Sequence, residues 1–244
     1  VNTPTQNQFT QELRLNADVG DLVDLTVGGF YYRGNSRQNG RNLIGSLNVD
    51  FLTSDKITTR SKSAFAHAVV HATDALNVTG GIRYTKDRKS YLFVRSLANG
   101  GTSPSVTPIN GQTATFDKGI WDYRIVADYR WSEQFFTYAQ FSTGFKGGGV
   151  NPRPFSPNQV APFGEEKLKS YEVGFKSDFA DRTVRLNVSA FLNDYTNIQI
   201  QTNTPFFNIL LPVQPDATQP NFNPIGGTSP AGVFLNAGDV RQKG

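Results

Sequence analysis

Residues 121–151 read WDYRIVADYRWSEQFFTYAQFSTGFKGGGVN and hold two alternating runs separated by only four residues. In the first run, aromatic and aliphatic residues at odd positions from Trp121 to Trp131 alternate with mostly charged residues at even positions. A period of two is the pattern of a strand with one apolar and one polar face. The second run repeats the pattern, so we predict an antiparallel β-hairpin with its turn at 132–135.

The length of these runs and their aromatic ends are typical of strands in a bilayer. A tilted membrane strand needs roughly 9 to 11 residues, an apolar face toward lipid, and Trp or Tyr where lipid meets water. Trp121 and Trp131 bracket the first run in this manner. A strand of a soluble β-sandwich shows the same alternation over a shorter length, so the hairpin alone leaves both interpretations open.

The composition narrows the classes of function. The chain has 244 residues and a net charge of +4, and its 24 basic residues do not form a stripe with interleaved aromatics, so we expect no nucleic-acid partner. No apolar run reaches the roughly 18 residues of a helical membrane span. The absence of cysteine excludes disulfides and thiolate chemistry. Because Val1 follows no initiator or signal pattern, we interpret the chain as an internal piece of a longer one.

The alternation continues along the whole chain. We predict strands over 9–15, 22–33, about 62–70, 75–95, 121–131, 137–146, 169–179, 184–193 with a continuation through Ile198 and Ile200, and 232–244. The predicted turns are short, at 16–21, 71–74, 132–135 and 180–182, and they alternate with long polar loops at 34–61, 100–115, 147–166 and 203–230.

Strict alternation of short and long connections decides between the two interpretations. An up-and-down barrel of the outer membrane has short turns on the periplasmic side and long loops outside. A soluble sandwich has no reason to sort its connections by length. The sequence therefore predicts an all-β, antiparallel, up-and-down transmembrane β-barrel.

Five segments also carry a family resemblance, which spans nearly the whole chain. In order along the chain, they resemble successive barrel segments of TonB-dependent outer-membrane receptors: FTQELRL, LNVTGGIRYTKDRKSY, FFTYAQFSTGFKGGGVN, KLKSYEVGFKSDFADRTVRLNVSAFLNDYTNIQIQ and LNAGDVRQKG. The resemblance implies that 1–244 forms about nine strands of a 22-strand, multi-pass barrel in the outer membrane of a Gram-negative cell. It also implies a plug domain and a TonB box, both absent from this sequence.

The resemblance carries expectations about function and partners. It implies TonB-coupled active uptake of a scarce nutrient such as a ferric siderophore or similar chelate, without a cofactor. The implied partners are outer-membrane lipid, the plug, the remaining barrel strands, the TonB complex and the small-molecule ligand. Two alternatives stay open, a passive porin-type channel and a soluble β-rich binding protein.

Enzymatic and metal sites are not expected. His67 and His71 lie four residues apart, about 13 Å along a strand, which is too far for one ion. No histidine stands in a Ser/His/Asp order, so we predict that the protein is not an enzyme. The stretch GFKGGGVN lacks the lysine-serine/threonine end of a phosphate-binding loop, and we expect its glycines to relax the backbone where a strand becomes a loop.

Polar residues on the inward parity are the candidate functional residues. Those expected to line the lumen and meet the plug are Arg83, Arg124, Asp128, Arg130, Glu172, Lys176 and Arg185. Those expected to contact ligand, because they approach the outer mouth, are Tyr138, Gln140, Lys146, Asn151 and Arg153. A cation among them suits an anionic ferric chelate.

The two end strands lead to one further expectation. Both lack a neighbour if the barrel continues beyond this chain, and closing nine strands would leave the end strands parallel and change the shear. We therefore predict an open, curved sheet with no hydrogen-bond ladder between 9–15 and 232–243.

Overall fold

Antiparallel strands dominate the computed structural model, which describes residues 2–44, 49–103, 106–154, 157–201, 209–211, 227–229 and 234–244. In chain order the strands are β1 Asn2–Val19, β2 Val23–Ile44, β3 Val49–His71, β4 Leu76–Leu92, β5 Arg95–Leu97, β6 Thr113–Arg130, β7 Phe135–Lys146, β8 Gly149–Val150, β9 Pro162–Phe163, β10 Glu166–Phe179, β11 Val184–Thr196, β12 Gln199–Gln201, β13 Ile209–Leu211, β14 Gly227–Ser229, β15 Phe234–Asn236 and β16 Val240–Lys243.

Nine of these strands follow one another in a single up-and-down sheet. Its order is β1-β2-β3-β4-β6-β7-β10-β11-β16, and β5 pairs with β3 beside it. Within the described residues no ladder joins β1 to β16, so the sheet is open. The predicted all-β antiparallel class, the number of strands and the open edge are confirmed.

The central hairpin forms as predicted. β6 and β7 pair from Arg124 with Ser142 to Arg130 with Phe136, and the amide of Trp131 donates to the carbonyl of Phe135 at 2.9 Å to close the turn. Strand β6 begins at Thr113, earlier than expected, because the residues before Trp121 also pair with β4.

The predicted long loop at 34–61 is wrong. β2 continues to Ile44 and β3 starts at Val49, and the two strands pair along their whole length. Side chains add to the ladders on both sides of β2, since Asn35 donates to Asn7 on β1 at 3.2 Å and Thr58 on β3 donates to Asn35 at 3.4 Å. Above a membrane both faces of a hairpin meet water, so backbone pairing holds strands there without an apolar period.

Two predictions near the end of the chain are also wrong. The long strand does not continue through Ile198 and Ile200, because Asn197 turns the chain at φ 56° and β12 pairs with β15 instead. The single strand predicted over 232–244 is two strands, and only β16 joins the main sheet, beside β11. The loop predicted at 203–230 lies largely outside the described residues.

The two faces of the sheet differ in chemistry. One face, here called the outer face, exposes a band of apolar side chains that includes Leu13, Ile125, Val173 and Leu186. Aromatic pairs border this band: Phe9 with Tyr31 and Tyr84 with Trp121 toward the long connections, and Tyr129 with Trp131 toward the short turns. An apolar band between aromatic girdles is the lipid-facing surface of a membrane barrel.

The inner face carries a buried cluster at the end of the sheet with the long connections, here called the upper end. The cluster consists of Tyr91, Phe93, Ile109, Ala114 and Val150. The described residues 93–103 and 106–112 include a short 3-10 helix, Thr107–Ile109, and the amide of Gly111 donates to the carbonyl of Phe93 at 2.8 Å, which brings the end of this connection back to its start. The described part of this connection is therefore packed against the sheet. Among the described residues, no helix has the length and apolarity to cross a membrane.

Candidate functional site

A cavity of about 200 Å³ lies on the inner face at the upper end. Side chains of β1, β2 and β3 form its wall, and Arg95 and the segment after β8 close it. It is lined by Pro4, Gln38, Asn39, Asn42, Phe51, Thr53, Asp55, Arg95, Pro152 and Arg153. Gln38 lies seven residues beyond Tyr31 of the aromatic border, about 23 Å at 3.3 Å per residue, so the cavity stands clear of the lipid band.

A buried ion pair forms the back of this cavity. Arg95 Nη2 donates to Asp55 Oδ2 at 3.1 Å, and Arg95 Nη1 donates to the carbonyl of Pro154 at 2.8 Å. Burial raises the pKa of the Asp55 carboxyl, although the guanidinium of Arg95 pulls in the opposite direction. Burial likewise lowers the pKa of Arg95. The rings of Phe51 and Phe93 lie 5.4 Å from the guanidinium carbon and hold it by cation–π contact.

Two polar groups near the cavity are buried without a partner. Within the described part of the chain, neither side-chain atom of Asn151 nor Nε of Arg95 has a hydrogen-bond partner. Asn151 is only 3% exposed. Buried polar groups are nearly always hydrogen-bonded, and an exception calls for a ligand, a water or an ion. Arg95 and Arg153 line the cavity, and Asn151 directly precedes the lining residue Pro152, so these polar groups lie in or next to one concave region.

Tyr91 fixes the segment that closes the cavity. Its hydroxyl approaches the carbonyl of Pro152 at 3.2 Å and Oε1 of Gln38 at 3.4 Å, and its ring stacks on Phe93 at 4.4 Å. Burial raises the pKa of the Tyr91 phenol far above its ordinary value. The hydroxyl therefore stays protonated and remains a donor that ties β4 to the strand-loop boundary after β8.

The glycines at 147–149 have a different role from the one predicted. A Cβ at Gly148 would overlap the carbonyl of Phe163 and the ring of Phe116, so this position requires the absence of a side chain. Lys89 Nζ donates to the carbonyl of Gly148 at 2.6 Å, and burial lowers the pKa of this lysine. The glycines permit close packing of the upper segment onto the sheet, which is the opposite of a relaxed backbone.

The structure separates the predicted ligand-contacting residues into two groups. Asn151 and Arg153 belong to the upper cavity and its surroundings, and Lys146 is exposed where β7 ends. Tyr138 and Gln140 lie lower on the inner face, where both donate to the carboxylate of Glu172, Gln140 at 3.1 Å. Their role in ligand contact stays a prediction.

The other predicted lumen residues make separate contacts on the inner face. Arg124 approaches Gln140 at 3.5 Å, Asp128 accepts from Asn77 at 2.9 Å, and Arg83 donates to Ser63 at 2.7 Å. At the lower end, a hollow of about 510 Å³ is bordered by Arg130, Lys176 and Arg185. Arg185 makes a two-point contact with Asp178 at 2.7 and 3.1 Å.

The two histidines do not converge. His71 contacts Asn77 through Nδ1 at 2.8 Å and Asp24 through Nε2 at 3.0 Å, whereas His67 pairs with Thr26 and Gly81 in the ladders. Among the described residues, no group of three or more His, Asp or Glu side chains could hold a metal ion.

Sequence reasoning missed the two residues at the back of the cavity. Asp55 lay in the predicted loop at 34–61, and Arg95 was the last residue of a predicted strand. The two are 40 positions apart, and no local pattern connects them. The only sequence signal is the aromatic run of Tyr91 and Phe93 that leads into Arg95.

Comparison with known proteins identifies the family of this sheet. Residues 1–244 match the family described as "TonB dependent receptor-like, beta-barrel". The chain belongs to the TonB-dependent receptor family. Members of this family are transport receptors and outer-membrane β-barrels. The resemblance inferred from the strand segments is thereby confirmed.

Curated relatives are similar at moderate identity. The pesticin receptors of Yersinia enterocolitica and Yersinia pestis are each 28% identical to this TonB-dependent receptor chain over 204 residues. The match covers 82% of this chain and 28% of each relative, so the chain spans less than a third of their length.

Solved structures share the fold. The ferric yersiniabactin uptake receptor of Yersinia pestis matches with a TM-score of 0.68 at 21% identity, covering 82% of this chain and 30% of that protein. A copper transporter matches with a TM-score of 0.67 at 14% identity, covering 100% and 35%. A siderophore receptor of Acinetobacter baumannii matches with a TM-score of 0.62 at 18% identity, covering 83% and 33%.

Proposed function

We propose that the complete receptor containing this chain binds a ferric siderophore or similar metal chelate at the upper cavity and imports it by TonB-coupled active transport. The polar cavity lined by Arg95 and Arg153 is the observation that carries the proposal. A concave site with a few fixed polar groups is the usual form of a small-molecule site, and the unpartnered buried amide of Asn151 directly precedes the lining residue Pro152.

Charge at the cavity favours an anionic ligand. Asp55 neutralises Arg95, whereas Arg153 lines the cavity and has no ion-pair partner among the described residues. A net positive mouth raises the local concentration of anionic solutes. Carboxylate or phenolate groups of a chelate fit these donors because charge-assisted hydrogen bonds are the strongest kind.

The size of the cavity limits the part of the ligand that it takes. Sites for whole small molecules measure about 300 to 1,000 Å³, and 200 Å³ is below that range. The cavity therefore accepts one arm of a chelate, while the rest faces the lumen. Other contacts come from parts of the receptor beyond this chain.

The similar solved structures agree with this proposal because they are receptors or transporters, but the substances that they bind or transport differ. Two of the similar structures are receptors for a ferric chelate or a siderophore, and a third is a copper transporter with nearly the same TM-score. The fold thus supports import of a metal species, and the polar cavity favours a chelate over a bare cation, because its lining presents guanidinium groups.

The proposal includes partners that the complete receptor supplies. A plug domain would contact the inner-face residues Arg130, Lys176 and Arg185, and the TonB complex would drive its movement. Within this hollow at the lower end Asp178 neutralises Arg185, so Arg130 and Lys176 are the cations to which acidic groups of a plug would be complementary in charge.

Uptake measured in cells tests the proposal. Accumulation of radioactive iron from a panel of ferric siderophores should require the complete receptor, should stop in a strain without TonB, and should stop when the proton-motive force is collapsed. A plugged barrel cannot pass such a ligand by diffusion. Uptake that continues without TonB would identify a passive porin and overturn the proposal.

A further inference from the structure

Seven exposed cations share the outer face of β2, β3 and β4 just above the apolar band. This basic patch consists of Arg33, Arg37, Lys56, Arg60, Lys62, Lys86 and Arg88. The strand register places Arg33 opposite Arg60 and Arg60 opposite Arg88, so three guanidinium groups form one row across three strands. Lys62 faces Lys86, and Arg37 faces Lys56, in the same way.

Interactions within the sheet do not stabilise this arrangement of cations. Like charges directly opposite each other on neighbouring strands destabilise the pair. Of the seven cations, only Lys86 forms an ion pair within the described ranges, and its partner is Asp117. One carboxylate does not compensate seven cations, so the patch calls for an external anionic partner.

The position of the patch indicates what that partner is. Phe9 lies directly opposite Arg33, and Tyr31 lies directly opposite Lys62. Tyr84, which contacts Trp121 at 4.9 Å, precedes Lys86 by two residues on the same face. Aromatic side chains of this kind mark the level where acyl chains end and headgroups begin. The basic patch therefore lies at the height of lipid headgroups on the side of the long connections.

We propose that this basic patch binds phosphorylated lipid headgroups of the membrane leaflet on the upper side. Arginine pairs with phosphate through two parallel hydrogen bonds, and the patch offers four arginines. Neighbouring strands are about 4.8 Å apart, so the row of Arg33, Arg60 and Arg88 spans roughly 10 Å. That width suits a headgroup with two or more phosphates, such as a lipopolysaccharide, better than a lipid with one.

The test uses the complete receptor in nanodiscs, and it is independent of any transported ligand. The variant R33Q/R60Q/R88Q removes the central row. R182Q, which removes an exposed cation from the turn at the opposite end of the sheet, is the control and is matched to the single variant R60Q. Binding is measured with phosphatidylcholine alone, with added phosphatidylglycerol, with added lipopolysaccharide, and with inorganic phosphate as competitor.

We expect the wild-type receptor to prefer lipopolysaccharide over phosphatidylglycerol. The central-row variant should lose about a hundredfold in affinity for lipopolysaccharide, at about fivefold for each cation removed near an anionic surface, while the control stays within about twofold. A variant R33K/R60K/R88K, which keeps the charge, should retain most of the binding. Retained binding would show that misfolding does not cause the loss in R33Q/R60Q/R88Q.

Two results would overturn the proposal. Equal binding of lipopolysaccharide by the wild type and the central-row variant would show that the patch does not hold the lipid. Complete competition by millimolar inorganic phosphate would show a site for free phosphate rather than for a headgroup. If the triple variant does not fold, Arg60→Gln alone should weaken binding about fivefold, and no change would count against the proposal in the same way.

Discussion

Asp55 on β3 and Arg95 on β5 form an ion pair of 3.1 Å whose side chains are only 4% and 3% exposed. Their pairing joins a strand that extends above the membrane to the segment that returns over the inner face. Removing a buried charge from water is costly, and only the partner and further hydrogen bonds compensate for it. The pair therefore makes the upper cavity depend on both segments at once.

Breaking this pair should show strong coupling between the two residues. Asp55→Ala leaves the Arg95 guanidinium buried without its partner and should cost about 3 to 5 kcal/mol in the local free energy of opening. Arg95→Met should also destabilise the segment, and the double variant should cost clearly less than the sum. Hydrogen exchange at the amide of residue 95, which donates to Oδ1 of Asn110 at 2.9 Å, measures this because neither variant removes its acceptor. If the cost of the double variant equals the sum of the two single costs, the contact between Asp55 and Arg95 contributes nothing to the stability of this region.

The two faces of β11 should differ in their tolerance of charge. Leu186 and Val188 lie on the outer face and are each 45% exposed, so lysine at either position would face lipid and should cost roughly 2 to 4 kcal/mol near the midplane. Lysine at Asn187 or Ser189, on the inner face, should cost little. The free energy of unfolding of the complete receptor in lipid vesicles provides the measurement. Equal costs on both faces would contradict the membrane orientation.

The membrane-spanning strands could be predicted from the sequence because contact with lipid on one face makes apolar and polar residues alternate with a period of two. The run from Trp121 to Trp131 shows it, and β6 and β7 pair as that run predicts. Above the membrane this constraint ends. Asn35 and Thr58 pair across β2 and β3 although neither strand alternates there, so a polar composition was mistaken for a loop.

The candidate site could be predicted only in part for a similar reason. Asn151 and Arg153 are predicted because they follow a strand that approaches the outer mouth, and Arg153 lines the cavity. Asp55 and Arg95 come together only through the pairing of β5 with β3, which depends on the register of distant segments. The glycine at 148 was recognised, but its role was not, because the carbonyl of Phe163 that it accommodates lies in a later part of the loop.

A side chain at Gly148 should disrupt the packing of the upper segment. Gly148→Ala would place a methyl group against the Phe163 carbonyl and the Phe116 ring, and the clash should weaken ligand binding and raise proteolysis of the upper segment. Gly144→Ala is the matched control, since a Cβ there meets no atom within 4 Å. Limited proteolysis of both variants compares them directly, and equal cleavage would show that close approach at Gly148 is not needed.

The central claim is that the upper cavity binds the ligand that the receptor imports, and equilibrium binding by the complete receptor tests it most directly. The panel is the set of ferric siderophores used in the uptake experiment. For the chelate that binds most tightly, Arg153→Gln should weaken affinity about tenfold to a hundredfold, because a hydrogen bond to a charged group contributes about 1.5 to 3 kcal/mol. Arg182→Gln, in the exposed turn at the lower end, is the matched control and should leave affinity unchanged. Equal affinity of the Arg153 variant and the wild type for every chelate that binds would contradict the account.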